Sequence, residues 1–425
     1  MTASGLLQRR FLLFVLPVVG LIGLATGATA LLGLAGGGLV LLMLARLDAY
    51  RRLLGLRASR EVYTSAFEDD PVRVRVSLEN RSRRDAWLVE LVDSFGPSLS
   101  DRQALLAGGP LLPRRRRTLA YRALCSRTWG EYRVGPLGVA TADALGLFRA
   151  RRSFFQIETF TVFPRVHPVA ALDRLGARPT AATHDHSAPR AGQSLAYLGV
   201  RDYRPGDDVR RIHWPATARR GALTVKEYER DLLPYFTLFL DLDRRGRAGT
   251  GRKSTLEFLV RTAASVLWTA ATRGDVVQVI AEGAHPLLVP PGRGGLHATQ
   301  CLYELVRVRQ EGSLDLFDLV ERHSTNVPEG SAVALLLARL GFDLARLEAA
   351  LFELRARAAQ PAVLVVNDAS FLPVDRWPMP PMEVQERKDA IAALLAIHGV
   401  PGRILEASQD LAVELGRSDL LGDAA

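Results

Sequence analysis

The chain opens with a long apolar run. No charged residue occurs from Phe11 to Ala45. As one helix these roughly 35 residues would extend about 52 Å, against a hydrocarbon core of about 30 Å. Two shorter spans, at about residues 11–26 and 29–45, fit that thickness better if a tight turn joins them at Gly27-Ala28. The pattern therefore predicts a transmembrane hairpin within residues 1–52.

Charges at the two ends of the run predict its orientation. Arg9 and Arg10 precede it, Arg46 and Arg51 follow it, and the turn between the spans carries no charge. By the positive-inside rule this predicts a multi-pass protein of the cell inner membrane, with its soluble domains on the cytoplasmic side. A signal peptide cleaved near Ala28-Thr29-Ala30 is the alternative, although a second apolar run would then follow the cut.

A β-rich segment follows, at residues 59–168. Apolar and polar residues alternate from Val72 to Leu78, which is the period of a half-buried strand. Similar short runs occur at residues 86–92, 117–124, 130–134, 139–142 and 155–163. Short strands separated by turns predict a small antiparallel β-sandwich.

Residues 232–418 show an alternation of strands and helices. Tyr235 to Leu242 is almost wholly apolar, as a central strand covered on both faces should be. Further strands are predicted at residues 276–281, 332–338, 362–366 and 403–406, and helices at residues 254–272, 344–358 and 384–398. This order predicts a doubly wound α/β sheet with right-handed crossovers.

Between the two domains lies a linker, residues 177–193, which is rich in Ala, Pro, Thr and His and has no periodicity. His184-Asp185-His186 within it carries metal-ligating side chains. Neighbouring residues of a loop rarely converge on one ion without partners, so we interpret this stretch as a solvated loop.

Residues 194–231, here called the collar, are unusually dense in arginine, carboxylate and aromatic side chains. Arg204-Pro205-Gly206-Asp207 has the composition of a β-turn, because Pro presets φ and Gly permits a positive φ. Asp207 or Asp208 is expected to cap a short turn that Pro215 ends after Trp214. A second turn is expected to end at Gly221, before a strand from Leu223 to Tyr228.

The collar resembles the signature of a bacterial membrane-protein family known only as domain of unknown function fifty-eight. That pattern is roughly R-x-Y-x-P-G-D-D-x-R-x-I-x-W-x-x-x-A-R. The matching residues are Arg201, Tyr203, Pro205, Gly206, Asp207, Asp208, Arg210, Ile212, Trp214, Ala218 and Arg219, with Asp202 where the family usually has Glu. Residues 127–148 are also similar to the family, although Ala144-Leu145 replaces a Pro-Phe pair. We interpret the residues of that second stretch as ones that form turns and pack in the core, without a binding role.

The resemblance implies that residues 232–418 are similar to a von Willebrand factor A domain. Such domains bind Mg²⁺ through Asp-x-Ser-x-Ser, beyond the carboxyl end of a strand. Here the sequence reads Asp241-Leu242-Asp243-Arg244-Arg245, so a guanidinium replaces a ligand. The favoured hypothesis is a degenerate, empty metal site with an internal ion pair and no cofactor. The rival hypothesis keeps Asp241 and Asp243 as ligands and adds Asp368.

Catalysis has little support in the sequence. It contains no G-x-S-x-G elbow, no H-E-x-x-H helix and no phosphate-binding loop followed by Lys. Cys125 and Cys301 form neither a disulfide framework nor a metal-ligand spacing. The formal charge of +10 rests on arginine, since Lys226, Lys253 and Lys388 are the only lysines. We therefore expect a protein that is not an enzyme.

Two functional classes remain. The resemblance implies a membrane-anchored adaptor that works with a MoxR-type AAA+ ATPase in protein-complex assembly or envelope maintenance, sometimes with a transglutaminase-like membrane protein. The alternative is binding of anionic lipid or nucleic acid by the arginines of the collar. Carboxylates interleaved with those arginines disfavour nucleic acid.

The role of the collar has two interpretations as well. Its arginines and Trp214 either dock a partner or clamp the two soluble domains together. The candidate residues for either role are Arg201, Tyr203, Asp207, Asp208, Arg210, Trp214 and Arg219.

Overall fold

The computed structural model describes residues 3–154, 157–170, 197–204, 207–228 and 234–417. The whole linker predicted at residues 177–193, together with Pro205, Gly206 and Asp231, therefore lies outside the described residues. The chain divides into two compact units, residues 1–166 with 302–307 and residues 167–301 with 308–425.

The first unit begins with two helices, α1 (Ala3–Thr26) and α2 (Thr29–Leu54). They meet at Gly27, which has a φ of 72°. A residue with a side chain would be strained in this conformation. They pack closely at Gly38, where an added Cβ would lie 2.5 Å from the Leu16 side chain.

The membrane prediction is supported for one of these helices. Within the described residues, α2 is the one helix long and apolar enough to cross a membrane, with a mean hydropathy of 2.0 in its most apolar window. The apolar part of α1, Phe11–Thr26, is shorter than such a span. A signal sequence has the same length and composition, so two spans stay a prediction.

Short strands make up the rest of the first unit. They are β1 (Leu56–Glu61), β2 (Ser65–Phe67), β3 (Pro71–Asn80), β4 (Trp87–Ser94), β5 (Arg102–Leu106), β6 (Arg116–Leu124), β7 (Gly130–Val134), β8 (Leu137–Ala142), β9 (Arg149–Phe154) and β10 (Glu158–Phe163). The sheet orders are β1-β3-β6, β2-β10-β7 and β5-β4-β8-β9. The predicted strands are thus present, but in three short sheets, and β2 runs parallel to β10.

One hydrophobic core joins these strands to the end of α2. Val74, Val76 and Leu91 are fully buried in it, and Ala49 and Leu53 of α2 belong to the same cluster. The last turns of the apolar helix are therefore part of the β-rich core, so the helix and the sheets form one packed body.

The second unit begins with the collar, a small antiparallel hairpin. Its strands are β11 (Tyr197–Asp202) and β12 (Thr224–Tyr228), and between them lie a 3₁₀ turn (Val209–Arg211) and α3 (Trp214–Arg220). Gly221 ends α3 in the left-handed conformation with φ 69°. The sequence predicts that Pro215 ends a turn, but proline is tolerated in the first turn of a helix and here stands at the start of α3.

A six-stranded sheet forms the core of the second unit, with the order β17-β16-β13-β18-β19-β20. The strands of the unit are β13 (Tyr235–Leu240), β14 (Gly249–Thr250), β15 (Lys253–Ser254), β16 (Val276–Glu282), β17 (Pro286–Gly292), β18 (Ala332–Leu337), β19 (Gln360–Val366) and β20 (Gly402–Leu405). The further helices of the chain are α4 (Thr255–Arg273), α5 (Gly295–Val306), α6 (Leu316–His323), α7 (Leu344–Ala356), α8 (Pro381–Ile397) and α9 (Leu411–Gly416).

The sheet is parallel except at one edge. Strands β16, β13, β18, β19 and β20 pair in parallel, and β17 pairs antiparallel with β16. Every residue of β18 is buried, as a sheet covered on both faces requires. The chain is thus a mixed α/β protein with apolar N-terminal helices.

Candidate functional site

The collar is held in shape by an ion pair of its own. Arg201 Nη1 and Nη2 donate to the two Asp207 carboxylate oxygens at 2.7 Å each. Asp207 also accepts the Arg204 backbone N–H at 2.8 Å. These bonds hold the pKa of Asp207 down, at about 2. A bidentate Arg–carboxylate pair fixes geometry as well as charge, so it braces the turn between β11 and the rest of the hairpin.

The other predicted collar residues divide into structural and exposed ones. Asp208 caps the 3₁₀ turn by accepting the Arg210 N–H at 3.0 Å, and the backbone of Tyr203 joins the two strands. The side chains of Arg210 and Arg219 are exposed.

Trp214 stands at the surface of the collar with 65% of its side chain exposed, as does Val209. Whether Trp214 docks a partner or clamps the two soluble domains stays a prediction. Trp214 is the first residue of α3 and follows His213, which caps the helix by accepting the Ala216 N–H at 3.1 Å. An exposed tryptophan beside exposed arginines is typical of contact surfaces rather than of cores.

The second candidate site lies where the order of the parallel sheet reverses. Strands β16 and β18 flank β13 on opposite sides, and ligands of such sheets bind beyond the carboxyl ends of the strands at this point. Asp241 and Asp243 follow β13 directly and are buried. The backbone therefore places these two carboxylates where the sequence predicts them.

Asp241 is a buried carboxyl held by backbone donors. It accepts the N–H groups of Asp243 and Ala338, each at 3.0 Å. Burial raises its pKa to about 6, and the neighbouring charges of Asp243 and Asp315 act in the same direction. Asp241 thus ties the loop after β13 to the end of β18.

Asp243 pairs with Arg245. Arg245 Nε donates to Asp243 Oδ2 at 2.6 Å, and the Arg245 backbone N–H donates to Oδ1 at 2.9 Å. Burial acts to raise the pKa of Asp243, but the hydrogen bonds and the charge of Arg245 outweigh it, so the pKa is lowered. Both oxygens of this carboxylate therefore face donors of the arginine.

Three arginines also surround one oxygen of Asp315. Arg245, Arg339 and Arg346 each place a guanidinium nitrogen 3.4–3.6 Å from Asp315 Oδ2. Asp315 caps α6 through its other oxygen. Sequence reasoning missed Asp315, Arg339 and Arg346, which lie 70 to about 100 residues beyond Arg245 and carry no local signal.

This arrangement does not fit a magnesium site. The Arg245 guanidinium lies against Asp243, where a divalent cation would meet its charge, and Mg²⁺ demands near-octahedral oxygen ligands. Asp368 instead accepts the Leu340 N–H at 3.0 Å. Among the described residues, no three His, Cys, Asp or Glu side chains form a group able to hold a metal. Loss of the metal site stays a prediction, and a 1:1 Mg²⁺ isotherm abolished by Asp241→Ala would contradict it.

Comparison with known proteins gives a family of unknown function. Residues 199–368 match the model of the family described as "Protein of unknown function DUF58". The "Uncharacterized protein YeaD" of Bacillus subtilis (strain 168) is 27% identical over 184 residues, which are 41% of this chain and 42% of the relative. The chain thus matches less than half the length of that relative.

Solved structures give weaker likenesses. A β-glucosidase from Listeria innocua is 13% identical over 25% of this chain and 15% of its own, with a TM-score of 0.16. A Northeast Structural Genomics Consortium target, SoR45, is 10% identical over 32% of this chain and 98% of its own, with a TM-score of 0.18. Scores this low carry no argument about fold or function.

Proposed function

We propose that this protein is a membrane-anchored, non-catalytic adaptor that docks a partner protein through the exposed face of its collar. The observation that carries this proposal is Trp214, an aromatic side chain left 65% exposed on a braced element. The bidentate pair between Arg201 and Asp207 keeps that element rigid before a partner arrives. A rigid aromatic anchor loses little conformational entropy on binding, and Trp and Arg are the residues that most often dominate binding energy.

The anchor is the N-terminal pair of helices. Helix α2 has the length and composition of a membrane span, and Arg46 and Arg51 after its apolar part favour a cytoplasmic location for the soluble units. With α1 as a second span, the protein is a multi-pass component of the inner membrane.

The α/β domain supplies a scaffold rather than a metal centre. Its sheet order and the carboxylates after β13 support an A-domain-like architecture. Arginines lie at the place where such domains bind Mg²⁺. This supports a site in which ion pairs replace the cation.

The partner is a MoxR-type AAA+ ATPase, as the family resemblance implies. The adaptor then presents client proteins to the ATPase during complex assembly or envelope maintenance, with a transglutaminase-like membrane protein as a further companion. The exposed side chains of Arg210, Arg219 and Arg220 support an acidic surface on the ATPase as the contact.

Two substitutions separate docking from a structural clamp. We expect Arg210→Glu and Trp214→Ala to leave the melting temperature of the purified protein nearly unchanged, because both side chains are exposed. We expect each to weaken capture of the ATPase by roughly 30-fold, as loss of about 2 kcal/mol at a central contact does. Arg376→Glu, an exposed arginine elsewhere in the unit, is the matched control.

The opposite result identifies a clamp. A melting temperature lowered by either substitution, with capture of the ATPase retained, would show that the collar stabilises the fold and does not dock a partner. Salt-dependent binding to DNA or to anionic vesicles that Arg210→Glu abolishes would assign the collar to the alternative class.

A further inference from the structure

The end of the β-rich unit nearest to helix α2 has an unusual surface. Three turns meet there, namely residues 79–88, 106–117 and 141–150, here called the proximal end. Strand register places them together, because Glu79 pairs with Arg116, Ala86 with Leu111, and Trp87 with Ala142. Eight arginines and three carboxylates occur in these segments, so the proximal end is strongly basic.

Contacts with α2 fix the depth of this end relative to the membrane span. Arg84 Nη1 pairs with Asp48 Oδ1 at 3.0 Å, and the Arg81 N–H donates to the carbonyl of Gly55, the C-cap of α2, at 2.8 Å. Asp48 lies three residues beyond Ala45, the last residue of the uncharged run. At 1.5 Å per residue that is about 5 Å along the helix axis.

The distance from Ala45 to Asp48 along the helix axis is within the thickness of one headgroup layer. The polar layers add about 5–7 Å on each side of the hydrocarbon core. If α2 spans the bilayer, the loop at Arg84 therefore lies among the headgroups, because the pair with Asp48 and the shared core with Ala49 and Leu53 hold it there.

Exposed apolar side chains occur at the same end. Leu88 is 68% exposed and has a φ of 48°. This backbone conformation is energetically unfavourable for a residue other than glycine. The register of β4 against β8 shifts between Trp87 and Glu90, which marks a bulge, and bulges redirect side chains. As a result both Trp87 and Leu88 are exposed. Leu145, in the turn between β8 and β9, is exposed as well.

We propose that the proximal end is a membrane-contact surface, in which Trp87 and Leu88 enter the bilayer interface and the arginines bind anionic headgroups. Tryptophan is enriched at the membrane interface, and basic residues close to the surface gain about 1 kcal/mol each from anionic lipid. The inference rests on the proposed membrane anchor. It adds that the β-rich unit contacts the lipid with its proximal end, while its opposite end lies away from the bilayer.

The test measures depth with a fluorophore on the full-length protein. Leu88→Cys is labelled with an environment-sensitive dye, while the native Cys125 and Cys301 are buried. The control is Leu99→Cys, which is 72% exposed and follows the opposite end of β4, about 20 Å from Leu88 at the rise of a strand. Both proteins are reconstituted into vesicles of phosphatidylcholine and phosphatidylglycerol that contain a lipid quencher near the headgroups.

We expect the dye at position 88 to be quenched roughly threefold or more over the dye at position 99, since only the former lies within the headgroup layer. Quenching at position 88 is expected to be stronger with phosphatidylglycerol than with phosphatidylcholine alone, and Arg115→Glu should reduce that difference.

Three outcomes would each overturn a different part of the proposal. Equal, weak quenching at both positions in protein that floats with the vesicles and resists carbonate extraction would overturn the contact surface and leave the anchor intact. Protein that stays soluble, with no vesicle association, would overturn the proposed anchor itself. Quenching that is the same with and without anionic lipid would overturn the role of the arginines.

Discussion

Replacing Arg60 with methionine is expected to destabilise the β-rich unit by about 3–5 kcal/mol, as loss of one partner of a buried ion pair does. Arg60 and Asp93 are buried and lie 2.8 Å apart between Nη1 and Oδ1. Arg60 also donates to the carbonyl of Val134 at 3.0 Å. Without the guanidinium, Asp93 would keep a buried charge.

A tyrosine completes this network. Tyr121 donates its hydroxyl to Asp93 Oδ2 at 2.7 Å, and burial together with the Asp93 charge raises the pKa of Tyr121 far above its usual range. The phenol therefore stays protonated and continues to donate, but one neutral donor does not replace a guanidinium beside a buried carboxylate.

Thermal unfolding of the detergent-solubilised protein measures the effect. For a unit of this size we expect the transition to fall by roughly 10 °C. Arg57→Met changes the same residue type on the exposed face of the same strand and should leave the transition in place. The double substitution Arg60→Met with Asp93→Leu should recover part of the loss, because no buried charge then remains. A shift no larger than that of Arg57→Met would show that the pair does not stabilise this unit.

The second large effect concerns pH. Burial raises the pKa of Asp241 to about 6 from an ordinary value of 3.8, so the folded protein binds this proton more tightly than the unfolded chain does. The stability from Asp241 is therefore greatest below pH 4 and is lost as pH rises towards 6. Two pKa units correspond to about 3 kcal/mol.

Asn in place of Asp241 removes this titration. The variant should be less stable at low pH, since an amide cannot accept both backbone N–H groups. Its stability should change less between pH 4 and 6 than that of the wild type. Denaturant unfolding at several pH values measures the difference between the two proteins, in which the titrations of Asp207 and Asp368, carboxyls that do not act on Asp241, largely cancel. Parallel curves for the two proteins would contradict the raised pKa.

Periodicity located much of the fold. Alternation predicted β3 as residues 72–78, and the structure extends that strand to Pro71–Asn80. The apolar runs of the second unit predicted β13, β16, β18 and β19, because strands buried on both faces leave a signal in any sequence.

The missed elements are those whose signal is ambiguous. The stretch Gly292-Arg293-Gly294-Gly295, after Pro290-Pro291, has the composition of a plain loop. Gly292 instead ends β17 and Gly295 begins α5. Prolines are tolerated in β17 because it is an edge strand of the sheet. Helix α6 has eight residues, too few for a helical period to stand out.

In the candidate sites, too, the sequence predicted only the residues that lie close together along the chain. The resemblance to A domains indicated the carboxylates after β13 and an arginine beside them, and the collar residues come from one continuous motif. The partners Arg339, Arg346 and Asp315 come from other elements that only the folded sheet brings together. Arg60 sits in a short, polar strand that gives no hint of a buried guanidinium.

The central claim is tested most directly by purifying the intact protein from its own membranes, with and without ATP, and identifying the proteins that accompany it by mass spectrometry. We predict recovery of a MoxR-type AAA+ ATPase in amounts that depend on ATP, and its loss with Arg210→Glu but not with Arg376→Glu. Recovery of lipid or nucleic acid alone, with no ATPase under either condition, would contradict the adaptor proposal.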